Sequence, residues 1–289
     1  MRFEKWQALG NDYLIFEREE LPFELTPGRV RRLCEGHFGI YADGVLLLSP
    51  PADPAHVADL RIFNPDGSEA ELSGNGAREA ILYLRRHWTE LDAFSIHTVA
   101  GEIRPRITGA DTCTVDMGRA SLSSPDFPGG PEDGKGGVMS GGRLWPFRHV
   151  SIGNPQCAIH VDSLEELQAL DLAAIGPAIE GDEQFPNRTN VSWYTELAPR
   201  TPGRIRARIF ERGVGETLSS GTGATGAAVA HVQEYGPPLR PASVTVTLDG
   251  GELEVEVAED LRVNLTGWAR PVFAGRLSEE FEKELHETE

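Results

Sequence analysis

One stretch of this chain is written twice. FNPDGSEAELSGNGA, starting at Phe63, and FERGVGETLSSGTGA, starting at Phe210, align at a constant offset of 147 residues. The offset pairs Phe63 with Phe210, Glu69 with Glu216 and Ser73 with Ser220, and it sets Gly74, Gly76 and Ala77 against Gly221, Gly223 and Ala224. With small shifts the likeness continues upstream, LGNDYLIF against IGNPQCAIHV, and downstream, SIHTVAGEIRPRI against VTVTLDGGELEVEV. Self-similarity on this scale marks a repeated structural unit, so both copies must satisfy one plan.

That plan reads as strands, a Gly-rich turn, a helix and a β-hairpin. The helix after Ser73 carries Ala77, Ala80, Ile81, Leu84 and Trp88 at one-face spacing. The helix after Ser220 is small and apolar nearly all round (Ala224, Ala227, Ala228, Val229, Ala230), which predicts burial. Strands such as the one with Leu253, Val255 and Val257 alternate and follow one another along the chain, favouring antiparallel neighbours over a doubly wound parallel sheet. The expected fold is α+β, with two pseudo-symmetric halves, each a curled, mainly antiparallel sheet around a central helix. Residues 1–120 form the expected N-terminal half and 146–269 the C-terminal half, with 121–145 a Gly/Pro-rich connector or long loop. The segment 270–289 is expected to pack on the N-terminal half, and its end, LSEEFEKELHETE, reads as a solvated helix with Phe281 and Leu285 on one face.

Composition removes whole classes of partner. Among 289 residues, 45 acidic against 27 basic side chains give a net charge of −18, which repels nucleic acid and anionic membranes. Cys34, Cys113 and Cys157 form no C-x-x-C and no disulfide framework, as expected of a reducing cytoplasm. The N-terminus has no signal-peptide pattern, and no apolar run approaches the ~20 residues that span a bilayer. The histidines offer no H-E-x-x-H; His37, His97 and His160 lie among apolar residues and read as core or strand positions. GTGATG, from Gly221 to Gly226, matches the dinucleotide pattern, but ERGVGETLSS separates it from the preceding strand, and the first copy has Glu79 in place of the third glycine.

Both copies place Ser-Gly-x-Gly at a helix start. Serine there is a preferred cap, and glycine permits the tight turn. The same geometry also presents backbone amides to an anion, and two such starts related by pseudo-twofold symmetry would clamp one carboxylate from two sides. The ten-residue interval from phenylalanine to serine in both copies favours the second role, which capping alone does not require.

These motifs resemble the diaminopimelate epimerases, which invert one α-carbon of LL-diaminopimelate to give the meso form for lysine and peptidoglycan precursors. LGNDYLIFE, CEGHFGIYADGVLLL, RIFNPDGSEAELSGNGAR, GNPQCAIHV, FPNRTNVSW and FERGVGETLSSGTGA stand in the family's order over nearly the whole chain. The resemblance implies two similar halves with the active site in the cleft between them, and no PLP, nicotinamide or metal. It leaves a homodimer open. It carries substrate contacts onto Asn11, Asn64, Gly74, Asn75, Asn154, Asn190, Glu211, Arg212, Gly221 and Thr222, the helix starts holding the reacting carboxylate. Asn64, Asn154, Asn190, Glu211 and Arg212 would recognise the far amino acid end, where an Arg beside a Glu suits a zwitterion.

At the family's two catalytic cysteine positions this chain has Ser73 and Ser220. A helix start can tune a thiol into a thiolate, whereas a serine hydroxyl needs a neighbouring base. Gln156 stands where the family commonly has His, and Tyr41 where Gly is usual. The sequence therefore leaves open an epimerase whose serines work slowly or with Glu69 or Glu216 as helper, and a relative with other α-proton chemistry, such as hydroxyproline-type dehydration. It also leaves open deliberate replacement of both thiols, which Gln156 disfavours, and a non-catalytic amino acid binding protein.

Overall fold

The computed structural model describes residues 1–197, 203–235 and 242–289. In chain order the first elements are β1 (Arg2–Ala8), β2 (Asn11–Glu17), α1 (Pro27–Cys34), β3 (Val45–Ser49), β4 (Ala58–Phe63), β5 (Glu69–Ala70), α2 (Gly74–His87), β6 (Ile96–Thr98), β7 (Gly101–Ile103) and β8 (Arg106–Gly109). Next come β9 (Thr112–Arg119), β10 (Lys135–Ser140), β11 (Arg143–Ser151), β12 (Pro155–His160), α3 (Leu164–Ala169), α4 (Leu172–Glu180), β13 (Asn190–Glu196), β14 (Arg204–Glu211) and β15 (Gly215–Thr217). The last are α5 (Gly221–Tyr235), β16 (Ala242–Leu248), β17 (Gly251–Val257), β18 (Arg262–Trp268), β19 (Arg270–Arg276) and α6 (Glu279–Glu287). None of these helices is long and apolar enough to cross a membrane.

The chain divides into two compact units, Met1–Val115 with Gly267–Glu289, and Asp116–Thr266. Among the described residues there are two sheets. One runs β19-β1-β2-β3-β4-β6-β7 with β5 on β4; the other runs β10-β11-β12-β13-β14-β16-β17-β18-β9-β8 with β15 on β14. Most neighbours are antiparallel, but β2–β3 and β4–β6 are parallel, as are β12–β13 and β14–β16. Each parallel pair is joined through a helical crossover, α1 or α2 in the first sheet, α3–α4 or α5 in the second. Parallel strands need such a connection, which reading adjacent strands as hairpins overlooks.

The first unit's core gathers Phe3, Leu14, Phe16, Val30, Leu33, Leu47 and Phe63, with Leu277 and Leu285 from the C-terminal segment. Ser278 caps α6 by accepting from the Phe281 amide, and Arg29 Nε donates to the Leu285 carbonyl at 2.8 Å. The second unit's core joins Phe127, Val138, Trp145, Phe147, Ile159, Trp193 and Phe210. Inside the Gly-rich stretch 121–145 the chain forms strand β10, hydrogen-bonded to β11. A Cβ on Gly136 would lie 2.4 Å from Phe147 Cζ, so here glycine marks a ring packed against a strand rather than a loop.

The central helices differ from their patterns in one respect. α5 is buried along Ala224–Val232, as its composition predicts. α2, expected to be amphipathic, is buried on all sides from Asn75 to Leu84, Arg78 and Glu79 included. His97 and His160 lie on strands, as expected, although both are exposed; His37 departs from the expectation, exposed in a turn. On β6 the alternation that buries Ile96 and Thr98 turns His97 outward, and the buried histidines are His149 and His231.

Candidate active site

The repeat survives in atomic detail at the helix starts. Ser73 Oγ accepts from the Gly76 amide at 3.1 Å, and Ser220 Oγ from the Gly223 amide at 3.2 Å. Ala77 and Ala224 amides bond the carbonyls of the same serines at 2.8 and 2.9 Å. Both serines therefore cap their helices. The third motif position is glycine for packing: a Cβ on Gly76 would lie 3.1 Å from Leu46, and one on Gly223 2.7 Å from Ile209. Residues Gly74–Asn75 and Gly221–Thr222 fill the first turn, where amides lack intrahelical acceptors and favour an anion.

Glu69 and Glu216, the expected helpers, are engaged elsewhere. Arg61 meets Glu69 with Nε and Nη2 at 2.8 Å each, and Arg208 meets Glu216 at 2.8 and 3.0 Å, again at the 147-residue offset. The Arg61 fork holds the Glu69 carboxyl below its ordinary range, which makes it a weaker base. Sequence reasoning missed both arginines, although the offset itself pairs them.

In the first unit, Asn11 Nδ2 donates to Asp43 at 2.8 Å and its Oδ1 accepts from Asn75 Nδ2 at 3.1 Å. Asn75 Oδ1 in turn accepts from Arg78, whose other arm reaches the Gly74 carbonyl at 3.0 Å. This ladder brings Asn11, Gly74 and Asn75 together. Lys5 extends it by bonding Asp12 and the carbonyl of Tyr41. Tyr41 has φ +64°, a left-handed backbone that explains why glycine suits its position, and the residue is 67% exposed. Asn64 lies apart in the NPDG turn, where Nδ2 donates to Ser68 Oγ at 2.9 Å. Tyr13 Oη reaches Ser73 Oγ at 3.2 Å, a contact between residues 60 apart that no local pattern announces.

The second unit repeats the ladder with different letters. Asn154 Nδ2 donates to Thr222 Oγ1 at 3.3 Å, as Asn11 and Asn75 pair in the first, and its Oδ1 accepts from Gln156 at 2.6 Å. Asn190 is buried, its side-chain amide spanning the Arg212 backbone amide at 2.9 Å and the Pro155 carbonyl at 3.2 Å. Arg212 stays exposed and donates to the Asn187 carbonyl at 2.7 Å, while Glu211 accepts from Thr217 at 2.8 Å. Buried Glu180, at the end of α4, accepts from the Gly213 amide at 2.7 Å and pairs with Arg188. The loop with Glu211 and Arg212 is thus fastened from α4 and β13.

The family profile described as Diaminopimelate epimerase matches residues 3–123 and 148–271. The chain belongs to the diaminopimelate epimerase family. It is 39% identical to "Diaminopimelate epimerase" of Synechococcus sp. (strain JA-3-3Ab), covering 96% of this chain and 99% of that protein. To the protein of the same description from Pelotomaculum thermopropionicum it is 38% identical, over 95% and 98%. Among solved structures, the Bacillus anthracis phenazine biosynthesis protein of the PhzF family superposes with TM-score 0.69 at 16% identity, covering 96% of this chain and 99% of that one, which shows a shared fold.

Burial pushes the Cys34 and Cys113 thiols up to about 12, and Cys157 well above its usual range. None of the three cysteines is poised as a thiolate near neutral pH. Burial likewise raises the Glu79 carboxyl far above the ordinary range, against the smaller opposing pulls of Arg78 and the Tyr13 backbone. The Arg78 guanidinium, also enclosed, is lowered by burial. It lies behind the first turn of α2, where a cation adds to the positive end of the helix.

Proposed function

We propose that the chain binds diaminopimelate and inverts its α-carbon, delivering the meso form for lysine and peptidoglycan precursors in the cytosol. The observation that carries this reading is the serine-capped helix start found in both units with the same bonds. A carboxylate on those amides has its α-proton made more acidic as negative charge spreads into the bound carboxyl oxygens. By the family resemblance, the two serines occupy the sequence positions of the thiols that move the α-proton. Arg212, with Glu211 beside it on a fastened loop, is suited to the distal carboxylate and ammonium.

A second reading is favoured by one specific observation. No thiolate is available, since both family positions are serine and the three cysteines are buried. An amino acid binding protein with this frame would need neither base. Calorimetry with LL- and meso-diaminopimelate tests binding, and incorporation of solvent deuterium at the α-carbon then separates enzyme from binder. Binding without deuterium rejects the epimerase; no binding of either stereoisomer rejects both readings.

A further inference from the structure

We propose that Tyr13 takes and returns the proton of Ser73, so that the Ser73 hydroxyl exchanges the substrate's α-proton faster than the Ser220 hydroxyl does. The inference rests on the proposed diaminopimelate chemistry and deepens it.

Ser73 Oγ accepts from the Gly76 amide, which fixes the oxygen, and Tyr13 Oη lies 3.2 Å away. Tyr13 is buried on β2, and its ring edge is covered by Gly44, whose Cβ would come within 2.6 Å of Cε1. The phenol is therefore held against the serine. A phenol is a much stronger acid than an aliphatic hydroxyl, so in this pair the titrating group is the tyrosine. The charged groups on the elements packed around it are Arg2, Glu4 and Lys5 on β1, Asp12 and Glu17 on β2, Asp43 before β3, and Arg78, Glu79, Arg85, Arg86 and His87 on α2.

The second unit answers its serine differently. In the repeat, LGNDY and IGNPQ place Gln156 where Tyr13 stands. Gln156 is fully buried against Gly226, donates to Asn154, and leaves its Oε1 without a partner. A neutral amide carries no exchangeable acid at that place, and Ser220 Oγ bonds the Gly223 amide.

With Tyr13 as phenolate, the Ser73 hydroxyl proton passes to Tyr13 Oη while Ser73 Oγ takes the α-proton. The C–H electron pair stays on the α-carbon and spreads into the carboxylate. One O–H bond breaks, two form, and the C–H bond is lost, so charge and protons balance. After Tyr13 exchanges with solvent, the reverse path returns deuterium to the same face. Tyr13 acts through Ser73 and is a positioning residue that also carries the proton.

The test measures α-deuterium incorporation into diaminopimelate against pH in four proteins: native, Tyr13→Phe, Ser73→Cys, and both together. In the native protein exchange should climb about tenfold per pH unit as phenolate forms, and should exceed inversion. Tyr13→Phe should lower it by at least about tenfold and flatten the climb, with diaminopimelate affinity unchanged. In the Ser73→Cys background the same change should matter less than about threefold, because a thiolate is its own base. Equal losses in both backgrounds would make Tyr13 a structural prop and overturn the proposal, as would native-like exchange in Tyr13→Phe. If Tyr13→Phe exchanges like the native protein, this inference falls and the diaminopimelate reading stands; if the native protein binds diaminopimelate without exchange, both fall.

Discussion

Glu79→Gln probes what it means to enclose a carboxyl beside a helix start. Neither Glu79 oxygen has a hydrogen-bond partner of good geometry, and the neighbouring Arg78 directs Nη1 to the Gly74 carbonyl and Nη2 to Asn75. Burial raises the folded-state carboxyl well above its ordinary range, whereas the unfolded chain ionises near about 4.3. Above that pH the unfolded state gives up a proton that the folded state keeps, so stability falls as pH rises. The loss accumulates at about 1.4 kcal/mol per pH unit and stops once the folded carboxyl ionises. The glutamine of the variant has nearly the same shape and nothing to titrate. The stability difference between variant and parent should therefore grow in the variant's favour by that slope. Urea unfolding at matched ionic strength, stepped from about pH 5 to about pH 8, reads it directly. A difference that does not change with pH would mean that Glu79 is ionised in the fold and compensated by Arg78, and the reasoning would be refuted.

Two further outcomes concern the ligand. Arg212→Lys should weaken diaminopimelate binding by on the order of 1.5 to 3 kcal/mol, since a planar fork is replaced by a point charge; unchanged affinity in calorimetry would remove Arg212 from the ligand set. Ser73→Cys combined with Ser220→Cys should create or greatly raise epimerisation, each helix start drawing its thiol toward the working pH, while either single change gives little net inversion. A parent that already inverts as fast as the double variant would show that the serines do not limit the reaction.

Much of the frame is legible in the residues because repetition is a long-range signal: Ser73 and Ser220 and their capped helices follow from one offset, and the hairpins behind them from a small shift of it. The periodicity of α2 misleads at Arg78 and Glu79, because side-chain spacing reports which face is apolar and says nothing of strands closing over the other face. Lys135–Ser140 resembles a linker as long as glycine is equated with freedom, when Phe147 lies against it. Tyr13 is invisible for a different cause. It meets Ser73 only through strand register and helix placement, and its alternation within NDYLIFE is that of any inward strand residue. Glu69 and Glu216 stand out as residues but not in their role, since the arginines that occupy them sit eight positions upstream on the partner strand.

The twin forks, Arg61 with Glu69 and Arg208 with Glu216, bind short strands that end a few residues before each serine. They aim the chain into its helix without calling on the capping side chain. A duplicated frame anchored this way separates where the reacting group stands from what that group is. The two serine positions are for that reason the natural places to install a different acid or base, because exchanging them leaves both anchors untouched.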